Sequence, residues 1–108
     1  MPIDRNSPEY RTMRELNEDI TLAFRSNLVT VAQSLERHGI IPQAVLEQMS
    51  EVIGIQSRNK AAELQTHVSD KVMQNAKRFD DFVLALEEIE MKDLAKDLKE
   101  HREKLKAQ

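Results

Sequence analysis

Apolar residues recur at steps of three and four along most of this 108-residue chain. That spacing places side chains on one face of an α-helix, because the helix completes a turn about every 3.6 residues. A half-buried strand needs two-residue alternation, and no stretch of the sequence sustains it. With two glycines and three prolines, the chain also has too few turn residues for a β-sandwich. The spacing therefore predicts an all-α protein.

Residues that start or stop helices divide the apolar stretches into six predicted helices. Ser7 and Pro8 are typical of a helix start, because serine caps the first turn and proline at the first helical position gives up no needed donor. Gly39 is typical of a helix end, and Pro42 starts the next short helix after a corner that carries two isoleucines. The other predicted interruptions are Arg25-Ser26-Asn27, with Asn27 as a cap, Gly54 and Asn75.

These boundaries predict a six-helix antiparallel bundle in one domain at residues 8–100. Residues 1–7 show no periodic pattern and are predicted to be a flexible tail. The last ten residues are almost wholly polar, so we expect 101–108 to be the exposed end of an extended last helix or a fraying tail. The predicted buried residues form stripes at Met13, Leu16, Ile20, Ala23 and Phe24; Leu28, Val31, Ala32 and Leu35; Val45, Leu46, Met49 and Ile53; Ala61, Leu64, Val68 and Val72; Phe79, Phe82, Val83, Leu86 and Ile89; and Met91, Leu94, Ala95 and Leu98.

The sequence carries no pattern that points to an enzyme. The absence of cysteine excludes a disulfide scaffold, a thiolate zinc site and a cysteine nucleophile. The three histidines lie on three predicted helices without metal-ligand spacing, and the two glycines are too far apart for a phosphate-binding loop. The adjacent carboxylates at 80–81 and 87–88 should point in divergent directions on a helix. We therefore expect no catalytic residue, metal, cofactor or small-molecule ligand.

Length and charge exclude two further classes. Spanning a membrane needs about 20 consecutive apolar residues, which this sequence lacks, and the N-terminal residues lack the apolar segment of a signal peptide. We expect a soluble cytoplasmic protein without a membrane partner. The net charge of −3 and the pI near 5.6 argue against a general nucleic-acid binder, which is usually strongly basic.

The small net charge conceals a local contrast. The predicted third helix carries two acidic residues, Glu47 and Glu51, and no basic one, whereas the fourth helix opens with Arg58 and Lys60. Opposite charges on different faces allow a domain to attach head to tail to a copy of itself or to a related domain. Such a contact can close into a ring or extend as a helical filament.

The order of these signals resembles the caspase recruitment domain, a six-helix branch of the death-fold superfamily. The likeness covers roughly residues 10–100. It lies in the leucine-rich second helix running into Gly39-Ile40-Ile41-Pro42, the short third helix QAVLEQMSEVIG, the opening SRNKAAEL of the fourth helix, and the pair RFDDFVLAL and DLAKDL in the fifth and sixth. The interruption at 25–27 is similar to the bend of the family's first helix. Asp93 stands where the family often has histidine, and the last helix is longer than usual.

The resemblance implies a non-enzymatic adaptor that associates homotypically, with another caspase recruitment domain or with itself, in apoptotic or innate-immune signalling. In the family, basic residues of the first and fourth helices commonly meet acidic residues of the second and third. The matching basic positions, which we call the basic patch, are Arg14, Arg25, Arg58 and Lys60. The matching acidic positions, which we call the acidic patch, are Glu36, Glu47 and Glu51.

Three other interpretations remain open at this point. The chain could belong to another death-fold subfamily, the death domains or the death effector domains. It could be a helical nucleic-acid-binding regulator that uses the Arg58 and Lys60 helix for recognition. It could also be a structural bundle whose extended last helix joins a coiled-coil neighbour.

Overall fold

The computed structural model describes residues 7–50 and 57–108, and for Ser57 and Arg58 the backbone alone. Within these ranges it has no strand. The helices are α1 (Pro8–Glu15), α2 (Asn17–Ser26), α3 (Leu28–Arg37), α4 (Gln43–Ser50), α5 (Ser57–Gln74), α6 (Arg78–Glu88) and α7 (Lys92–Lys106). The prediction of an all-α helical bundle is confirmed. The predicted first helix is divided into α1 and α2, so seven helices are seen in the described ranges where six were predicted for the chain. The predicted helix end at Gly54 lies outside the described residues, as do residues 1–6 of the predicted tail.

The start of α1 follows the predicted capping arrangement. The backbone N–H of Tyr10 donates to the Ser7 hydroxyl at 3.1 Å, and Pro8 occupies the first turn. The Thr12 hydroxyl donates back to the Pro8 carbonyl at 2.8 Å. Ser7 thus satisfies a backbone N–H of the first turn that the helix cannot pair for itself, and Thr12 adds a second donor to a carbonyl of the same turn.

The bend in the first helix was predicted at residues 25–27, and that position is wrong. The bend lies at Leu16, whose φ of −102° and ψ of 18° separate α1 from α2. Backbone hydrogen bonds still run from Leu16 to Thr12 and from Ile20 to Leu16, both at 3.0 Å, so the bend interrupts little of the bonding. Its cause is tertiary: α1 packs mainly on α7, whereas α2 packs mainly on α5.

Asn27 instead forms the junction between α2 and α3. It occupies the cap position of α3, as predicted, with φ of −142° and ψ of 45°. Its side chain makes no capping hydrogen bond. The prediction of Asn27 as the residue that caps α3 is therefore confirmed in position, although its side chain does not supply the hydrogen bond.

The end of α3 has the hydrogen bonding of a helix closed by a left-handed residue. Gly39 has φ of 73°. Its N–H donates to the Glu36 carbonyl at 3.0 Å, and the N–H of Ile40 donates to the Leu35 carbonyl at 2.9 Å, the two bonds of a Schellman motif. Ile40 and the following Ile41 are buried, which confirms the predicted corner and directs the chain into α4.

Replacing Gly39 by alanine should lower the free energy of unfolding by about 1 kcal/mol, because a Cβ disfavours the left-handed region. Space is not the cause, since an added Cβ would meet its nearest atom, Nη1 of Arg78, at 3.7 Å. Glu90 offers the opposite control: it has φ of 68° at the end of α6, so Glu90→Gly should not destabilise the fold. Urea unfolding followed by circular dichroism measures both. An unchanged midpoint for Gly39→Ala would contradict the conformational argument.

The core lies along α5 and α6 and contains most of the predicted stripe residues. The exceptions are half-buried, at Leu16, Ala23, Leu46, Ile89, Met91 and Leu94, and Ile53 lies outside the described residues. Ala61, Leu64, Val68 and Val72 are fully buried on α5. On α6, Phe82 meets Phe24 of α2 edge to face, with ring centroids 6.1 Å apart and an interplanar angle of 88°. The stripe of α3 is also buried. The predictions for α3, α5 and α6 are confirmed, because the helix face that carries the apolar residues in the sequence is the face that is buried in the structure.

The last helix is extended, as expected, and residues 103, 104 and 106–108 at its end are exposed, but three side chains of this segment contact the bundle. The helix continues to Lys106, and Leu105 is only 7% exposed. The Arg102 guanidinium lies 4.9 Å from the centroid of the Phe79 ring and 2.6 Å from Oδ1 of Asp80. His101 Nε2 lies 2.9 Å from Oε1 of Glu15. One apolar residue and two side chains with partners on other helices hold this polar segment in place.

Candidate interaction surfaces

Two members of the basic patch lie on a packed pair of helices. Arg25 is exposed in the last turn of α2, and Lys60 lies near the start of α5. The two helices pack against each other. Arg25 and Ala62 of α5 line the same surface groove, so α2 and the first turns of α5 form one continuous surface.

Lys60 is less available than Arg25. Its Nζ lies 3.4 Å from Oε2 of Glu63 in the next turn of α5, and its side chain is partly covered. An exposed pair of this kind contributes at most about 1 kcal/mol. It nonetheless offsets the charge of Lys60 locally, so Arg25 supplies the clearer positive charge on this surface. The side chain of Arg58 lies outside the described residues.

Arg14 lies on a different helix from the other basic residues. It is in the last turn of α1, is exposed, and has its guanidinium carbon 6.0 Å from the centroid of the Tyr10 ring. The helix that carries it packs on α7 and α5. No described contact joins Arg14 to Arg25 or Lys60, so the structure does not bring it together with the rest of the basic patch.

The acidic patch is carried by another packed pair, α3 and α4. Glu36 is half-buried near the end of α3, and Glu47 is exposed on α4. The corner at Gly39 to Pro42 connects the two helices. Glu51, the third predicted member, lies outside the described residues.

Many charged side chains elsewhere in the described residues are paired within the fold. The four acidic residues of α6 each meet a different base: Asp80 with Arg102 at 2.6 Å, Asp81 with Arg78 at 3.1 Å, Glu87 with Lys99 at 3.2 Å, and Glu88 with Arg37 at 2.6 Å. Adjacent carboxylates thus point to different partners, as their positions on a helix predict. The negative charge of α6 is largely compensated inside the molecule.

The patch residues differ from those of α6 in this respect. No ion pair within the described part of the chain involves Arg14, Arg25, Glu36 or Glu47. These four charges are therefore not compensated by described neighbours, and a second molecule can meet them without first breaking such a pair.

Two glutamates have lowered pKa values because they accept hydrogen bonds across helices. The imidazole of His38, with Nε2 2.5 Å from Oε2, and then the Arg37 guanidinium hold the pKa of Glu88 below its ordinary value of 4.5. The hydrogen bond from His101, aided by Arg11, lowers the pKa of Glu15 in the same way. Each cluster joins two elements, the end of α3 to α6 and α1 to α7.

These lowered pKa values predict acid sensitivity. A carboxyl with a lower pKa in the folded than in the unfolded state stabilises the fold above its unfolded value, and that stabilisation is lost as the pH falls through the folded pKa. The melting temperature should therefore decrease as the pH falls below about 4.5. Glu88→Gln should have a shallower decrease than the wild type in thermal melts over this range. Identical pH profiles would show that Glu88 contributes nothing to the acid response.

The described residues show no constellation suited to chemistry. Within 7–50 and 57–108, no three histidine or carboxylate side chains are grouped so that they could hold a metal ion. In the same ranges, no helix combines the length and the apolar character needed to cross a bilayer. A cleft of about 310 Å³ at the α1–α2 bend is lined by Leu16, His101, Lys104 and three acidic residues, and it is open rather than enclosed.

The sequence analysis missed two residues of these surfaces. Leu22 is 56% exposed beside Arg25, and Val29 is 40% exposed on α3. A signal was present for both, because Leu22 falls between the stripe residues Ile20 and Phe24 and Val29 follows the stripe residue Leu28 directly. An apolar residue out of register with its helix stripe is the pattern expected of an exposed contact. Comparison with protein-family models, curated proteins and solved structures gives no match for this chain.

Proposed function

We propose that this chain is a protein–protein interaction module of the caspase-recruitment type that associates with further copies of itself or with a like domain. The observation that carries the proposal is the pair of charged surfaces just described. Arg25 on α2 and Glu47 on α4 are exposed on different packed helix pairs and make no described ion pair within the fold. Opposite charges held on separate faces of one domain suit contact between like domains.

The finer fold assignment, a six-helix death fold, is part of this proposal. It is supported by the order of the elements: a first helix bent at Leu16, a helix closed at Gly39, and a short α4 after the buried isoleucine corner. Counting α1 and α2 as the two halves of one bent helix gives the six-helix arrangement. A cytoplasmic adaptor role in apoptotic or innate-immune signalling, without enzymatic activity, follows from the resemblance described above.

The proposed contact is heterologous, because the basic surface of one copy meets the acidic surface of the next. After this contact the first copy still has an unused acidic surface and the second an unused basic surface, so association continues until a ring closes or a filament forms. Charges at the rim of an interface accelerate encounter and select the partner, and their attraction is screened by salt over a Debye length of about 8–10 Å. Association should therefore be strongest at low ionic strength.

Size-exclusion chromatography with light scattering tests this proposal on the unmodified chain. The apparent mass should rise with protein concentration at low salt and fall as sodium chloride is added toward and above the physiological range. The helical circular dichroism signal should stay constant throughout, because the charges concerned do not hold the fold. A monomer at every concentration and salt level would contradict self-association.

A further inference from the structure

Three large apolar side chains of the described residues are substantially exposed, and two of them lie within the charged surfaces. Leu22 is 56% exposed on α2, Val29 is 40% exposed on α3, and Leu84 is 54% exposed on α6. Folding does not account for their positions, since each leaves much of its area in water. The first two lie on helices that also carry Arg25 and Glu36, respectively.

Leu22 is part of a groove between α2 and α5. The groove has a volume of about 340 Å³. Leu22 and Arg25, which follows it by one turn, line the α2 side, and Ala62 lines the α5 side. The other lining residues are Asn17, Glu18 and Thr21. An apolar side chain thus stands beside a base that makes no described ion pair. A partner that approaches Arg25 with a carboxylate would also bring its own surface over Leu22.

Val29 has the corresponding position in the acidic surface. It precedes Glu36 by seven residues, close to two full turns of α3, so the two residues lie on the same face of the helix. The buried residues Leu28, Val31 and Leu35 lie on another side of α3, and Glu36 is half-buried at the border of that stripe. A base that approaches Glu36 would therefore come near Val29.

Charge alone is a weak basis for a stable contact. An exposed ion pair contributes about 0–1 kcal/mol, whereas the residues that dominate an interface are usually desolvated near its centre and surrounded by a polar rim. Each charged surface of this chain contains one exposed apolar residue on the same helix face as a charge without a described ion pair: Leu22 one turn from Arg25, and Val29 two turns from Glu36. When two copies meet, the apolar residues of the two surfaces can form the centre of the interface and the charged residues its polar rim.

We propose that Leu22 of one copy packs against Val29 of the next, while Arg25 and Glu36 approach each other at the rim. The occupant of the α2 and α5 groove is accordingly the α3 face of a second copy. The inference rests on the proposed function and adds to it the apolar centre of the contact. It assigns affinity mainly to Leu22 and Val29, and orientation and salt dependence mainly to the charges.

The first test compares Leu22→Ser with Leu84→Ser by sedimentation velocity over a concentration series. Each variant replaces one leucine, and the two leucines are exposed to a similar degree. Leu84, however, lies on α6, which carries neither surface. Leu22→Ser should weaken self-association about tenfold or more, and Leu84→Ser should leave it unchanged. Equal effects of the two variants would overturn the assignment of Leu22. Thermal melts followed by circular dichroism check that both variants are folded. Neither should change the melting temperature, because both positions are exposed.

The second test asks whether Leu22 and Val29 meet. Val29→Thr keeps the side-chain shape and should weaken association by itself. If the two residues are in contact across the interface, the double variant Leu22→Ser, Val29→Thr should lose less than the product of the two single losses. Strictly multiplicative losses would overturn the pairing.

The failure of this inference can be told apart from the failure of the proposed function. If reversing the charge of Arg25 abolishes association but Leu22→Ser does not change it, the apolar centre is refuted and the charged contact stands. If neither change affects association, both proposals are refuted. If Leu22→Ser weakens association without changing its dependence on salt, the division between apolar affinity and charged orientation is supported.

Discussion

Replacing Phe82 by alanine should lower the free energy of unfolding by about 3–5 kcal/mol. The ring is fully buried and meets Phe24 edge to face at 6.1 Å, so its removal forfeits both the transfer free energy and an aromatic contact. A domain of this size is typically stable by about 5–15 kcal/mol. The loss is therefore a large share of the total, and chemical unfolding followed by circular dichroism measures it.

Phe82→Leu is the matched control for this change. It keeps an apolar side chain of substantial volume in the same position and should cost clearly less than the alanine variant. The difference between the two variants reports the cavity that alanine leaves. A cost below about 1 kcal/mol for Phe82→Ala would contradict the burial of the Phe82 ring and its contact with Phe24.

Reversing the charge of Arg25 should have the largest effect on association. In Arg25→Glu, the attraction between the basic surface and Glu36 or Glu47 of the next copy becomes repulsion. Like charges brought together at an interface cost several kcal/mol, so self-association should weaken by about a hundredfold or more. The fold should persist, because Arg25 is exposed and makes no described ion pair. Sedimentation velocity at low salt gives the association constant.

Lys77→Glu is a control with the same change of net charge. Lys77 is exposed beside the start of α6 and belongs to neither patch, and its backbone N–H donates to Oδ1 of Asn75. If the effect of Arg25→Glu arises from position, Lys77→Glu should leave association near the wild-type level. Equal weakening by the two variants would mean that net charge, and not the basic patch, governs association.

The sequence predicted the features that depend on local patterns. The stripes of α3, α5 and α6 were recognisable because burial follows the helical period, and the end of α3 was recognisable because Gly39 readily takes φ of 73°. The bend at Leu16 was not predictable in this way, since neither glycine nor proline marks it. It results from the packing of α1 and α2 on different helices.

Two further features depended on contacts far apart in the chain. The end of α7 reads as polar and solvated, but Arg102 reaches Phe79 and Asp80 some twenty residues earlier. At the end of α6, the backbone N–H of Met91 donates to the Leu86 carbonyl at 3.0 Å, and the intervening Glu90 has a left-handed φ of 68°. Glutamate rarely adopts this conformation, so the sequence did not predict it. For the candidate site, the sequence predicted which charges to consider, whereas their freedom from described ion pairs became visible only in three dimensions.

Mixing two complementary charge variants tests the central claim most directly. Arg25→Glu reverses the charge of the basic surface, and the double variant Glu36→Lys, Glu47→Lys reverses that of the acidic surface, so each variant alone should be monomeric at low salt. An equimolar mixture should associate by light scattering, because the intact acidic surface of the first meets the intact basic surface of the second. A mixture that stays monomeric, or variants that each assemble alone like the wild type, would contradict association through these two surfaces.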